Sequence, residues 1–579
     1  MKSIKKLKGV MVALLIVSLI VITACSGNQA NNEPAPAPAP ANNTDKEVEA
    51  IAEPAPTPKE PITLKVLMKD NAADFENTEV YKEIVKQTGV TMKIEKFDEK
   101  KFQVEMAGGD LPDIIQVPSK FIKELVEGNN IIPLDDLVQT NGPAILSKHY
   151  EKSVEYSKQF WSNNTGKLYV IPVQVGEGGF GFEQKVGFNV RWDYYKELGY
   201  PKISSTDDMI NVLADMVKNH PTSPDGKKVY GVSLWNDWGT WGLTNTIGLM
   251  TGHRSNGFDS NTQKFYDMYT DTENSAIWDT ADFLFKAKQK GILDPDAFID
   301  KYGDVEAKAA KGTLLFAPAT WPFESSNGEV LKQGPDKGFV TIPLDWGYTD
   351  VAGKTVAGWD GRQYAISKNA KDPQRAMDLI NFLVSEEGSR LIGSGIQGVH
   401  WDIVDGKPQM KPETIKLASE GGDPWKLTGI GRANQQGLTD YTVLSDGGIV
   451  NLLNTPEVFA TKLNSLNEDY IKHYGVTYPA EAYKKYVDEG KVTTLSDVPQ
   501  DLFNALPKAD DEIKNIGAKM TDLITKGIPS IVLSSKDEAD YKVRQQALID
   551  ELKAAGSDRY FEWRVKGYED TKAKYPNLY

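Results

Sequence analysis

The chain has 579 residues with one cysteine, 12 tryptophans, 24 tyrosines and a formal net charge of −15 at pH 7. A lone thiol excludes a disulfide framework and a cysteine-built metal cluster. The acidic balance, with no basic run to reverse it, argues against nucleic acid as a partner.

Lys2, Lys5, Lys6 and Lys8 precede an apolar run from Val10 to Ile22, and Thr23-Ala24-Cys25 follows. That order is expected of a signal peptide over residues 1–24 that ends in a lipobox, with Cys25 as the lipidated residue. Residues 25–61 are rich in Pro, Ala and Asn, as in EPAPAPAPA. Such a composition buries no apolar surface and favours extended polyproline conformations, so it reads as a tether. The expected location is the extracellular face of a cell membrane, held there by the lipid on Cys25.

Ile62 to Met68 alternates like a strand, and Val80 to Gln87 predicts a helix that stops at Gly89. Thr91 to Phe97 is a second strand, Lys101 to Met106 a helix, and AGGDLPDIIQV (Ala107 to Val117) leads into a third strand. Strand, helix, strand, helix, strand is the pattern of a parallel sheet covered on both faces. Ligands of such sheets bind beyond the carboxyl ends of the strands, which nominates Gln116 and Ser119. Asp113 is expected to bond backbone amides at its turn. GEGGFGF (Gly176 to Phe182) is glycine-rich but lacks the Gly-Lys-Ser/Thr ending of a phosphate loop.

A helix from Thr206 to Met216 starts with a Ser205 or Thr206 cap. In LWNDWGTWG, Trp235, Trp238 and Trp241 recur every third residue. On one short helix they would share an edge, either packing a lobe interior or facing a cleft as an aromatic platform. Trp278 to Lys290 is amphipathic, and Thr313 to Ala317 is a buried strand followed by Trp321 and Glu324. Trp359 and Asp360 form an aromatic-acid loop before the strand Tyr364 to Ile366, with Arg362 between them. Ala376, Leu379, Ile380, Leu383 and Val384 then mark one buried helical face, with Gly388 as the expected stop. A glycine-rich loop ends at His400 and Trp401. Helices over Ala539 to Ala555 and Tyr560 to Lys574 close the chain.

The phrases WDG, YAISKN, AMDLINFL, SEEG and GVHW between Trp359 and Trp401 resemble the extracellular solute-binding proteins, family 1, of ATP-binding cassette importers. Within them the chain is similar to the large Gram-positive lipoproteins that bind sugars and oligosaccharides. AGGDLPDII and GNNIIPLDDL resemble two further phrases of that family. The resemblance implies an α/β, two-lobe periplasmic-binding-protein-like fold of type II. Each lobe would be a sheet flanked by helices, with a helical C-terminal extension. Residues 62–172 plus 364–400 would form the N-terminal lobe, and 173–363 plus 401–579 the C-terminal lobe. KLYVIPVQV (Lys167 to Val175) resembles the family's crossing strand, which implies ligand contacts at Gln174 and Glu177. Trp321 matches a sugar-stacking tryptophan of the maltose-binding members. Some large relatives hold calcium where this chain has Asn219 to Ser233. Here Asp225 is the only acidic residue of that stretch, so no metal is expected there.

The implied function is capture of a carbohydrate, an oligosaccharide above all, by a monomer that delivers it to the transmembrane subunits of a permease. No enzyme activity and no cofactor are expected. A carbohydrate-cleaving lipoprotein and a peptide-binding importer component are the alternatives. The candidate contact set is Trp321, Trp359, Asp360, Gln174, Gln116, Ser119, Glu177, Trp235, Trp238, Trp401, Glu324 and Arg362.

Overall fold

The computed structural model describes residues 60–69, 74–176, 181–253, 257–259, 264–349, 356–358, 362–433, 436–494, 506–507 and 509–574. The chain begins with β1 (Ile62–Met68), α1 (Glu79–Thr88), β2 (Val90–Lys96), α2 (Glu99–Gly108), β3 (Ile114–Val117) and α3 (Ser119–Glu127). After the first crossing come β4 (Val186–Arg191), α4 (Thr206–Asn219), β5 (Tyr230–Val232), α5 (Trp241–Asn245), α6 (Ala276–Gln289), β6 (Leu314–Ala319), α7 (Trp321–Leu331) and β7 (Phe339–Ile342). The chain then returns through β8 (Gln363–Ile366), α8 (Pro373–Val384) and α9 (Glu386–Ser394). It finishes with the long helices α10 (Asp511–Ser534), α11 (Glu538–Ala554) and α12 (Ser557–Lys574). Among the described residues, no helix is long and apolar enough to cross a membrane.

Two four-stranded sheets carry the architecture. The first has the order β8-β3-β1-β2 and the second β5-β6-β4-β7. In the first, β1 runs parallel to β2 and β3, while β8 is antiparallel to β3 with Gln363 opposite Val117. In the second, β5 and β6 are parallel and β4 is antiparallel to both β6 and β7. These are the sheets and helices of a two-lobe periplasmic-binding-protein fold.

Local chemistry explains most element ends. Thr78 caps α1 by accepting from the Tyr81 amide, and Gly89 ends it in the left-handed conformation. Ser205 caps α4 and Asp372 caps α8 in the same way. The expected apolar face of α8 is buried throughout. Asp113 accepts backbone amides from Lys65 at 2.7 Å and Lys371 at 2.6 Å, tying β3 to β1 and to the entry of α8.

Three local expectations are corrected. Gly388 does not stop α8: the helix ends at Val384, and Gly388 lies in α9, whose cap is Ser385. The glycine is needed because a Cβ there would lie 1.9 Å from the Phe382 carbonyl oxygen, where the two helices meet. The crossing stretch Lys167 to Val175 is not a regular strand, and only Ile171 and Val175 make isolated bridges, to Tyr364 and Leu438. Pro172 lacks an amide and Gln174 has φ 58°, so a continuous ladder cannot form. Finally, the tryptophans of LWNDWGTWG do not share one helix, since α5 begins only at Trp241.

The apolar cores follow the sheets. One contains Val190, Phe316, Trp278 and Ile342 together with Met520, Ile524 and Tyr541 of α10 and α11. The other contains Leu64, Val66, Ile114 and Leu379 together with Ile430, Leu438, Leu444 and Val450. Ile430, Leu438, Leu444 and Val450 therefore pack in the first sheet's core, although the sequence assigns residues 401–579 to the second lobe. The segment 430–450 is glycine-rich and aperiodic, so its sequence presents no face that would reveal where it packs.

Candidate functional site

Because β5 and β6 are parallel, the chain leaves both at the same edge of the second sheet. β5 leads into Trp235 and Trp238, and β6 leads into Trp321 at the start of α7. Trp235 is buried and forms a floor: its ring stacks on Trp241 at 4.9 Å and meets Trp238 edge-on at 5.5 Å. Trp238 stacks on Tyr302 at 4.9 Å and 15°. Trp321 closes the group, 6.4 Å from Trp238 and 5.9 Å from Trp241. Trp238 is 44% exposed, and Trp241 and Trp321 are partly so. The result is an aromatic wall with Trp235 as a packed base and Trp238, Trp241 and Trp321 as partly open upper rings. Offset and edge-on ring pairs of this kind add about 1 kcal/mol each beyond their buried area.

Polar groups brace the wall from behind. Asp237 accepts the Tyr302 amide at 2.9 Å, and Asn236 bonds the carbonyls of Asp300 and Ala297. Lys308 lies 2.8 Å from Asp294 and 2.6 Å from Asp300, and Ser233 donates to Asp300 at 3.0 Å. Burial opposes the Lys308 charge, but its bonds to Asp294 and Asp300 outweigh that and raise its pKa. Burial pushes the Asp300 carboxyl above its usual range, against the pull of Lys308. The ammonium occupies the centre of this carboxylate group, and among the described residues no cluster suited to a metal ion is found.

A second group of rings sits at the same edge. Val186, at the start of β4, pairs with Ala319, at the end of β6. Phe182, four residues earlier, stacks on Phe459 at 5.2 Å and meets Tyr478 edge-on at 5.0 Å. Neither these rings nor Tyr302 were anticipated, because single aromatics far apart in sequence carry no periodic signal.

The first sheet's edge is built differently. Gln116, on β3, is fully buried: its Oε1 accepts the Lys69 amide at 3.0 Å and its Nε2 donates to Gln436 Oε1 at 2.9 Å. The Tyr364 hydroxyl donates to the same Gln436 oxygen. Burial raises the Tyr364 pKa, so the phenol stays protonated as the donor. Gln174 is also buried, its amide bonded to the Gly437 carbonyl and its side chain to the Leu438 carbonyl. Gly358, at φ 73°, comes so close that a Cβ would lie 2.2 Å from the Val173 oxygen. Residues 171–175, Gly358, Tyr364 and residues 436–439 thus run together where the chain crosses. Gln116 and Gln174, expected as ligand contacts, have their amides engaged inside this crossing. Ser119 opens α3 and Arg362 precedes β8, both at the first sheet's carboxyl edge.

Trp401 lies elsewhere. It begins a hairpin strand (Trp401–Val404), donates its indole N–H to the Gly395 carbonyl at 2.9 Å and carries the Arg390 guanidinium 5.0 Å from its ring centroid. It packs with Met410, Leu452 and Val458, away from the aromatic wall. Glu177, Trp359 and Asp360 lie outside the described residues, as does the side chain of Glu324 in α7.

Residues 72–390 match the family model described as bacterial extracellular solute-binding protein. No curated protein sequence matches the chain. Among solved structures the chain is similar to the alginate-binding protein AlgQ2, at 19% identity and a TM-score of 0.58 over 88% of this chain and 99% of that one. It is similar to the substrate-binding protein FusA of S. pneumoniae in complex with kestose, at 16% identity and TM-score 0.57, over the same shares of the two chains. An HMO-binding solute-binding protein from Bifidobacterium longum infantis matches at 14% identity and TM-score 0.60, again over 88% and 99%.

Proposed function

Since the chain belongs to the bacterial extracellular solute-binding protein family, which is non-enzymatic, we propose that it captures an oligosaccharide between two hinged lobes and hands it to an ABC permease. The observation that carries this reading is the aromatic wall at the strand ends of the second sheet. Open tryptophan faces stack on the C–H faces of sugar rings, and polar groups opposite them select stereochemistry, because a buried hydroxyl without a partner is costly. Relatives of the same fold are described as binding alginate and kestose. The contact set proposed is Trp238, Trp241 and Trp321 on one side. Ser119 and Arg362 are proposed on the other, and Trp359, Asp360, Glu177 and Glu324 are proposed as contacts from the sequence resemblance alone. Gln116 and Gln174 act by holding the crossing segments in register.

In this reading Cys25 carries the lipid anchor, and the lobes are the two sheets with their helices. Ligand stabilises the closed arrangement only through its greater affinity for it. The test is a thermal-shift screen of the full chain against mono- and oligosaccharides, with peptides included. A saccharide that raises the melting temperature and is recovered intact supports the proposal, provided Trp321→Ala weakens the shift. A saccharide recovered cleaved, or a response to peptides alone, overturns it. For the anchor, Cys25→Ala should release the protein from the membrane fraction.

A further inference from the structure

Asp440 lies where the crossing meets the edge of the second sheet. Leu438 bridges Val175, and the Thr439 amide donates to the Val175 carbonyl at 3.0 Å, so Asp440 continues alongside the first crossing. Lys185 is close enough to act on the Asp440 charge, and its backbone carbonyl accepts the Thr320 amide at 2.8 Å. Thr320 directly precedes Trp321, so the carboxyl and the aromatic wall share Lys185 as a neighbour. On the other side the Tyr441 hydroxyl comes against Gly181, where a Cβ would lie 2.7 Å from its oxygen. Phe182 of the second ring group follows.

The carboxyl is held by one oxygen only. Its Oδ2 accepts from the Asn451 and Asn454 side chains at 3.2 and 3.3 Å, long bonds from neutral amides. Its Oδ1 has no hydrogen bond among the described residues, yet Asp440 is partly exposed and this oxygen is not sealed from solvent. Burial raises the carboxyl's pKa, against the bond from Asn451, the charge of Lys185 and the bond from Asn454. A largely buried carboxylate with one open oxygen is costly to the free protein, and a hydroxyl donor offsets that cost. The Tyr441 hydroxyl is open in the same way, and burial pushes its pKa up to about 12, so it stays protonated. Lys462 ends the short helix Pro456–Lys462, whose Phe459 stacks on Phe182. Neither Lys462 nor Lys185 forms an ion pair among the described residues. By contrast Lys196 and Lys308, in the same lobe, each lie within 3.1 Å of two carboxylates.

We propose that Asp440 and Tyr441 are specificity-determining contacts that take the ring hydroxyls of a neutral sugar unit seated against the aromatic wall, an inference that rests on the oligosaccharide reading of that wall. Asp440 Oδ1 accepts one hydroxyl, and the Tyr441 phenol bonds its neighbour. Among the described residues Lys185 and Lys462 are balanced by Asp440 and Glu183, so an ion of either sign gains little here. A hydroxyl suits all of these groups, since it donates to a carboxylate and accepts from a phenol or an ammonium.

The test is calorimetry on the full chain with the neutral trisaccharides kestose, maltotriose and xylotriose, and with trigalacturonate as the charged counterpart. In Asp440→Asn the amide oxygen still accepts from Asn451 and Asn454, while an NH2 replaces the open acceptor. Its melting temperature should therefore equal or exceed that of the parent, because a largely buried charge is gone. Binding of a neutral trisaccharide is expected, weakened about tenfold or more by Asp440→Asn and about three- to tenfold by Tyr441→Phe. Affinity unchanged in both variants but reduced in Trp321→Ala overturns the assignment of Asp440 and Tyr441 and leaves the wall in place. Weaker binding by Asp440→Asn alone, with a lowered melting temperature, makes the carboxyl a structural brace and also overturns it. Trigalacturonate binding as tightly as the neutral sugars overturns the ligand class. No binding of any trisaccharide defeats the oligosaccharide reading itself, and this inference with it.

Discussion

The two sheets end in edges of opposite character. The second finishes in five stacked and edge-on rings, Trp235, Trp238, Trp241, Tyr302 and Trp321. The first finishes in a buried amide and hydroxyl network of Gln116, Tyr364 and Gln436. Rings attract without strict direction, so the proposed site at the second edge would accept ligands that differ in detail. Buried amides are directional and costly when unpaired, so the first edge holds three chain segments in one arrangement. The division suits a molecule that must grip on one side and keep its crossing segments in register on the other.

The largest expected effect tests what holds the aromatic side up. Lys308→Met leaves Asp294 and Asp300 as buried carboxylates without a counter-ion, and should cost about 3 to 5 kcal/mol in urea denaturation. A loss below 1 kcal/mol would mean that the rings, not the ion group, support that edge. Next is Gln436→Leu, which strands the Gln116 amide and the Tyr364 hydroxyl. It should cost about 1 to 3 kcal/mol of stability, and should also alter saccharide affinity if the crossing governs closure. Trp238→Ala should separate the two edges most cleanly. Its ring is 44% exposed but packs on Trp235, Trp241 and Tyr302, so saccharide affinity should fall by about 1 kcal/mol together with a measurable drop in melting temperature. An unchanged affinity would remove that ring from the contact set.

The smallest effect concerns acid. Burial alone would raise the Glu386 pKa, but hydrogen bonds from Ser445 and His149 outweigh it and lower it. Its folded pKa therefore lies below the unfolded value of about 4.3. The stabilisation is complete above that value and is lost as pH falls through the lowered folded pKa. Glu386→Gln should remove this dependence, with an effect under about 1 kcal/mol because the carboxylate is partly exposed. Acid melts of the two chains that run parallel down to pH 2 would count against it.

Some of the site was legible early. Trp321 and Trp238 were nominated in the sequence, and the structure places them 6.4 Å apart although 83 residues separate them. Gln116 was nominated for its place at the carboxyl end of the third strand, and that position inside β3 buried it, since the strand is covered on both faces. Trp401 was nominated because it follows a glycine-rich loop, but a hairpin turns it toward Arg390.

Local chemistry written into the sequence determined the elements themselves. Alternation made β1, a three- and four-residue apolar spacing made α8, and Thr78, Ser205, Asp372 and Gly89 marked the ends. Those signals act over a few residues, where side-chain period and backbone preference are decisive. Tertiary structure alone decided which distant groups meet: Tyr302 beneath Trp238, Gln436 beside Tyr364, and Ile430, Leu438, Leu444 and Val450 against the first sheet. Those meetings depend on packing among segments more than sixty residues apart or without any period of their own, and a local pattern holds no record of such partners.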